Sequence, residues 1–87
     1  FWPKMNKYVV YILRTNKGTL YTGQTSNLEN RLKQHRQGKG AKYMRAFEDF
    51  ELVYQEKCES LSEALKREWE IKKLSKKNKE LLIEKQK

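Results

Sequence analysis

Val9-Val10-Tyr11-Ile12-Leu13, then Asn16-Lys17-Gly18, then Thr19-Leu20-Tyr21-Thr22-Gly23 is the run whose reading decides the fold. The first stretch alternates little and is rich in β-branched and aromatic residues. The second is a turn signal, and the third resumes strand-like composition. Together they predict a β-hairpin, which sets Tyr11 and Tyr21 on adjacent strands where their rings can share a site.

Outward from the hairpin comes Gln24-Thr25-Ser26-Asn27-Leu28-Glu29, where Ser26 and Glu29 fit a capping box opening a helix. That helix carries Arg31 and His35 one turn apart and turns Leu28 and Leu32 to the core, and Gly38 and Gly40 are expected to end it. Glu51-Leu52-Val53-Tyr54-Gln55 reads as a third strand, with Leu52 and Tyr54 on one face and Val53 on the other. Ser60-Leu61-Ser62-Glu63 repeats the capping-box signature and starts a helix to about Leu74, with apolar positions at Leu61, Ala64, Leu65 and Ile71. Ser75 caps a last helix containing Leu81, Leu82 and Ile83, ahead of a frayed tail. The expected fold is α/β (α+β), a small three-stranded sheet flanked by helices in the order ββαβαα. Met5 makes a natural start, so residues 1–4 read as an addition; the N-terminal extension runs over 1–7, the domain over 8–74 and a C-terminal basic helix and tail over 75–87.

Eighty-seven residues make one domain, which buries about 60–65% of the surface its unfolded chain exposes. The apolar stretches are too short for a membrane span or a signal peptide, and the expectation is a cytoplasmic protein. With a single cysteine, Cys58, and a single histidine there is neither an internal disulfide nor a Cys/His cluster for zinc, and Cys58 reads as a buried bystander.

The net charge is +9. Residues 1–50 hold ten Lys/Arg against three Asp/Glu, and residues 51–87 ten against eight, so the positive field belongs mostly to the first half. There Lys33, Arg36, Lys39, Lys42 and Arg45 are interleaved with glycine and the ring of Tyr43, a composition suited to a phosphate backbone. Tyr43 is a candidate to stack on a base or to fold its own loop down. Gln24 and Thr25, at the strand-to-helix turn, are further candidates to touch phosphate.

Glu68 lies within the apolar stripe of its helix, four residues after Ala64 and three before Ile71. A carboxylate aimed that way needs a cation, because burying it unpaired costs several kcal/mol. The plain partner is Lys72, one turn on. Arg31 has a planar fork able to hold a phosphate and offset charge growing on it. His35 is a candidate proton shuttle or leaving-group partner, although a lone helix histidine is more often packed. Strand tyrosines usually pack and use the hydroxyl in one hydrogen bond, and a phenol is a weak base at neutral pH unless a cation such as Arg31 lowers its pKa. Gly23 reads as a backbone feature that lets the strand end and the helix approach closely.

The order of these residues resembles the GIY-YIG nuclease superfamily, in particular small single-domain proteins related to the nuclease module of the UvrC repair protein and to Slx-type nucleases. Val9-Val10-Tyr11 stands where the family has Gly-Ile-Tyr, Tyr21-Thr22-Gly23 where it has Tyr-Ile-Gly, Arg31 where it has its helix arginine, and Glu68-Trp69 where it has its late glutamate. The resemblance covers about Tyr8 to Leu74. Valine for the first glycine and threonine for the isoleucine are departures that leave both tyrosines in place. Asn78 is the only candidate for the family's late polar residue.

What the resemblance implies is a metal-dependent endonuclease acting on DNA in preference to RNA, in repair or recombination. Tyr11, Tyr21, Arg31, His35 and Glu68 would be its catalytic residues. One of Tyr11 and Tyr21 would take the proton from the attacking water while the other positions it. Glu68 would be the ligand of Mg²⁺ or Mn²⁺, which need few protein ligands. Without an accessory domain, weak sequence preference or a protein partner that supplies the target is expected. Two other classes fit the same charge pattern: a catalytically inactive nucleic-acid-binding module, and an adaptor whose basic face docks on an acidic protein.

Overall fold

The computed structural model describes residues 7–36 and 50–86. Strand β1 (Tyr8–Thr15) and strand β2 (Leu20–Thr25) form the hairpin, helix α1 (Leu28–Arg36) follows, then strand β3 (Phe50–Cys58), helix α2 (Leu61–Lys72) and helix α3 (Lys76–Gln86). The sheet is antiparallel in the order β2-β1-β3, so β1 is central. Gly38 and Gly40, expected to end α1, lie outside the described residues.

The hairpin turn is made by local chemistry. Gly18 takes a positive φ of 83°, which glycine adopts without steric cost, and its N–H donates to the Thr15 carbonyl at 2.9 Å. The buried Thr15 hydroxyl accepts from the N–H groups of Lys17 and Thr19, at 3.3 and 3.1 Å.

The central strand explains why its sequence barely alternates: both of its faces are covered. Val10 and Ile12 join Tyr54, Cys58, Ala64, Ile71 and Ile83 beneath α2 and α3, while Tyr11 and Leu13 join Phe50, Leu28 and Leu32 on the α1 side. The third strand departs from expectation. Ile12 pairs with Tyr54 but Leu13 pairs with Leu52, so Val53 is an extra residue in the ladder. This bulge puts Leu52 with Phe50 on the α1 face and moves Tyr54, together with Val53, to the other. Strict alternation had placed Leu52 and Tyr54 on one face, and the inserted residue reverses that.

The caps show one agreement in kind and one correction. The Ser60 and Ser75 hydroxyls accept from the N–H groups of Glu63 and Asn78, at 3.2 and 3.1 Å, as capping requires. At α1, however, Asn27 is the cap in place of Ser26. Its Oδ1 accepts from the Asn30 N–H at 3.0 Å and its carbonyl from the Arg31 N–H. The Thr25 hydroxyl accepts from the Asn27 N–H and donates to the Asn27 carbonyl, turning the chain one residue later than the sequence motif suggests.

Helix α2 is pinned by Arg67, whose Nε donates to both oxygens of Glu56 on β3 and whose Nη1 donates to Glu70. It buries Ala64 and Ile71, but Leu61 and Leu65, expected in the core stripe, are exposed. The apolar arc of the sequence is wider than the arc the sheet covers. Helix α3 is tied down at two points, by Arg14 pairing with Glu80 and by the Gln86 amide, which meets both the N–H and the carbonyl of Gln55 on edge strand β3.

Candidate active site

The site grows from the pairing of Tyr11 with Gly23 across the hairpin. Tyr11 leans its ring over Gly23, filling the space a side chain would occupy. The close approach that calls for glycine is therefore made by the Tyr11 ring itself, in place of the expected strand-to-helix contact. Tyr11 is 1% exposed, and its hydroxyl hydrogen-bonds Nε2 of His35 on α1 at 3.2 Å. Tyr21, half-buried on β2, completes the cluster. Its ring centroid lies 5.6 Å from that of His35, edge-on, and 6.4 Å from that of Tyr11.

Phe50 closes the other side, with its ring 5.9 Å from His35 and edge-on to it. Nothing in the sequence pointed to Phe50, because its role depends on where β3 lies relative to α1. Arg36 is exposed and sets its guanidinium 4.8 Å from the centre of the Phe50 ring.

Electrostatics ties Arg31 and Glu68 to the same point. Burial, reinforced by the charge of Tyr21, pushes the Tyr11 phenol well above the usual tyrosine range; the Arg31 guanidinium pulls against this and the Glu68 carboxylate adds to it. His35 is held below its ordinary value by burial and then by the charge of Arg31, so it is a neutral imidazole at pH 7. Its Nδ1 is buried and meets no hydrogen-bond partner among the described residues.

The side chain of Glu68 is 18% exposed and accepts from Lys72 Nζ at 3.1 Å, the partner one turn on. Arg67, which the sequence reading passed over, fixes the rotation of α2: successive helical residues differ by 100° in direction, so docking Arg67 on Glu56 points Glu68 away from β3.

The candidate phosphate contacts are dispersed. Lys33 is exposed on α1, and the Thr25 hydroxyl is engaged in the turn with Asn27. Gln24 is half-buried, and among the described residues neither its Oε1 nor the hydroxyl of Thr22 two residues before it meets a hydrogen-bond partner. Lys39, Lys42, Tyr43 and Arg45 lie outside the described residues. Cys58 is buried, and burial raises its thiol pKa. Among the described residues no three His, Cys, Asp or Glu side chains gather to form a metal cage.

Residues 7–81 match the family described as the GIY-YIG catalytic domain. The chain belongs to that family. GIY-YIG relatives of nearly the same length include the UPF0213 protein of Staphylococcus saprophyticus, 46% identical over 79 residues that make up 91% of this chain and 96% of the relative. A UPF0213 protein of Staphylococcus haemolyticus is 48% identical over 80 residues, 92% of this chain and 98% of that one. The solution NMR structure of a UPF0213 protein from Bacillus halodurans superposes with a TM-score of 0.59 at 43% identity, covering 88% of this chain and 82% of that chain. A protein from E. faecalis, also solved by NMR, gives a TM-score of 0.65 at 35% identity, covering 97% and 90%. The GIY-YIG assignment fixes a nuclease-type family and the ββαβαα architecture. No helix of the described residues is long and apolar enough to cross a membrane.

Proposed function

We propose that this GIY-YIG domain is a divalent-metal-dependent endonuclease that hydrolyses one strand of DNA by in-line attack of water, in repair or recombination. The observation that carries the reading is the convergence on Tyr11. Its hydroxyl bonds His35, its ring neighbours Tyr21, and its ionisation senses Arg31 and Glu68, so residues from β1, β2, α1 and α2 act on one phenol. A packing tyrosine has no need of such company.

Tyr11 is too buried to face bulk water. The half-buried Tyr21 is therefore the tyrosine we assign to the attacking water, with Tyr11 and His35 holding its ring from behind. Arg31 offsets the charge that grows on the phosphate, where a preorganised cation is worth most. Glu68 offers one carboxylate at a partly open position, a donor set that suits Mg²⁺ or Mn²⁺ completed by water and phosphate oxygens and does not suit a protein-built cage. When bound, such a metal supplies Lewis-acid polarisation of the phosphate. Lys72, which is 54% exposed, is free to swing from Glu68 into solvent.

The competing view is that Glu68 serves only its ion pair with Lys72. Under that view Glu68→Gln and Lys72→Met have equal, small effects. Under ours, Glu68→Gln abolishes cleavage of a labelled panel of single-stranded, duplex, flapped and branched DNA in Mg²⁺ or Mn²⁺, while Lys72→Met keeps it. Cleavage by Glu68→Gln at the parent's rate would sink the assignment.

A further inference from the structure

Helix α2 leaves a ridge uncovered. Leu61, Leu65 and Trp69 follow at intervals of four residues along one side and are 43%, 47% and 61% exposed. At its far end Lys73 sets its ammonium 4.0 Å from the centre of the Trp69 ring. Leaving an indole and two leucines partly in water forgoes some of the stabilisation that burial of such side chains brings. Two features of the ridge narrow what it meets.

The first is charge. Lys66, Lys73, Lys76 and Lys77 are exposed along and just beyond α2, whereas of its acidic residues Glu63 helps cap the helix, Glu70 pairs with Arg67 and Glu68 belongs to the site. The partner is therefore anionic. A parallel two-fold pairing of two copies across this ridge would set the lysines of one against those of the other. The second is continuity. Trp69 directly follows Glu68, about 1.5 Å along the helix and 100° around it, so the C-terminal end of the ridge lies on the helix face next to the one that carries Glu68.

We propose that Trp69 and Lys73 form a stacking platform for an unpaired base of the strand being cut, with phosphates on the neighbouring lysines. An exposed indole with a cation over one face of its ring suits this role, since every base offers a π-face and stacking tolerates any sequence. In duplex DNA those faces are covered by neighbouring base pairs. The substrate class is thus nucleic acid with a single-stranded segment beside the scissile bond. The inference rests on the nuclease reading for its placement, but it is a statement about binding and is tested without cleavage.

The test is fluorescence anisotropy of labelled single-stranded and duplex oligonucleotides without divalent metal, using the parent chain, Trp69→Ala and Trp69→Phe. The expected result is that Trp69→Ala loses about tenfold or more in single-strand affinity, Trp69→Phe recovers most of it, and duplex affinity stays unchanged. Equal loss on both substrates, or no loss, overturns the inference. If that occurs while the parent still cuts DNA and Glu68→Gln does not, the nuclease reading stands alone. A Trp69-dependent single-strand preference in a chain that cuts nothing leaves the platform and removes the nuclease. Sedimentation that shows a parent dimer becoming monomeric in Trp69→Ala, with DNA affinity unchanged, also overturns it, making the ridge an interface between copies.

Discussion

A Cβ placed on Gly23 would stand 2.7 Å from the hydroxyl oxygen of Tyr11 and 2.9 Å from the ring carbon that bears it. Both distances are well inside van der Waals contact, and Tyr11 is enclosed on all sides, so the ring has nowhere easy to go. Gly23→Ala is expected to cost about 1–3 kcal/mol in urea unfolding, the usual range for overpacking. It should reduce cleavage far beyond the loss of folded protein, because the displaced ring breaks the bond to His35. Near-parental activity in a folded Gly23→Ala protein would show that the position of Tyr11 does not matter to the chemistry.

The Tyr11–His35 hydrogen bond invites a double-mutant cycle. Tyr11→Phe alone strands Nε2 of a histidine whose Nδ1 has no partner among the described residues, and His35→Leu alone strands a buried phenol hydroxyl. Each single change should destabilise by about 1–3 kcal/mol. The double variant removes both polar groups together, so it should recover most of that stability while remaining inactive. Additive stability losses in the cycle would mean that the two groups do not interact in solution.

Stability should fall on both sides of neutrality for separate reasons. The folded pKa of Tyr11 is raised, so its contribution is complete below the unfolded tyrosine value of about 10 and is lost as pH climbs towards the folded value. The folded pKa of His35 is lowered, so its contribution is complete above the unfolded histidine value of about 6.5 and is lost as pH falls through the folded value. Denaturation midpoints across pH should therefore lose the alkaline fall in Tyr11→Phe and part of the acid fall in His35→Leu. Unchanged slopes in these variants would place the responsible groups elsewhere.

Much of this molecule is legible in its sequence where the determining physics is local. The Asn16-Lys17-Gly18 turn and the Ser60 and Ser75 caps depend on a few consecutive residues and appear as read. The shift from Ser26 to Asn27 is also local, but it turns on whether the Thr25 hydroxyl closes its own small ring, and two polar candidates side by side leave that open. The bulge at Val53 depends on the register of β3 against β1, far away in sequence, so alternation alone could not show it.

The sequence names candidate side chains for a site but not their arrangement. Tyr11 and Tyr21 could be placed side by side from the hairpin, but that one is enclosed and the other half-open follows from α1 packing across them. Likewise the apolar periodicity of α2 includes Leu61 and Leu65 whether or not the sheet reaches them, and only the position of the helix tells a core stripe from an open ridge.

Gln86 offers Gln55 one donor and one acceptor, the same pair that a residue of an added strand would offer. The outer border of β3 is thereby occupied midway by a side chain standing in for a neighbour. Exposed strand borders are templates on which other chains pair and grow into aggregates. The last turn of α3 therefore interrupts that border at its middle, and any change that draws Gln86 away leaves a longer stretch of it open to self-templating.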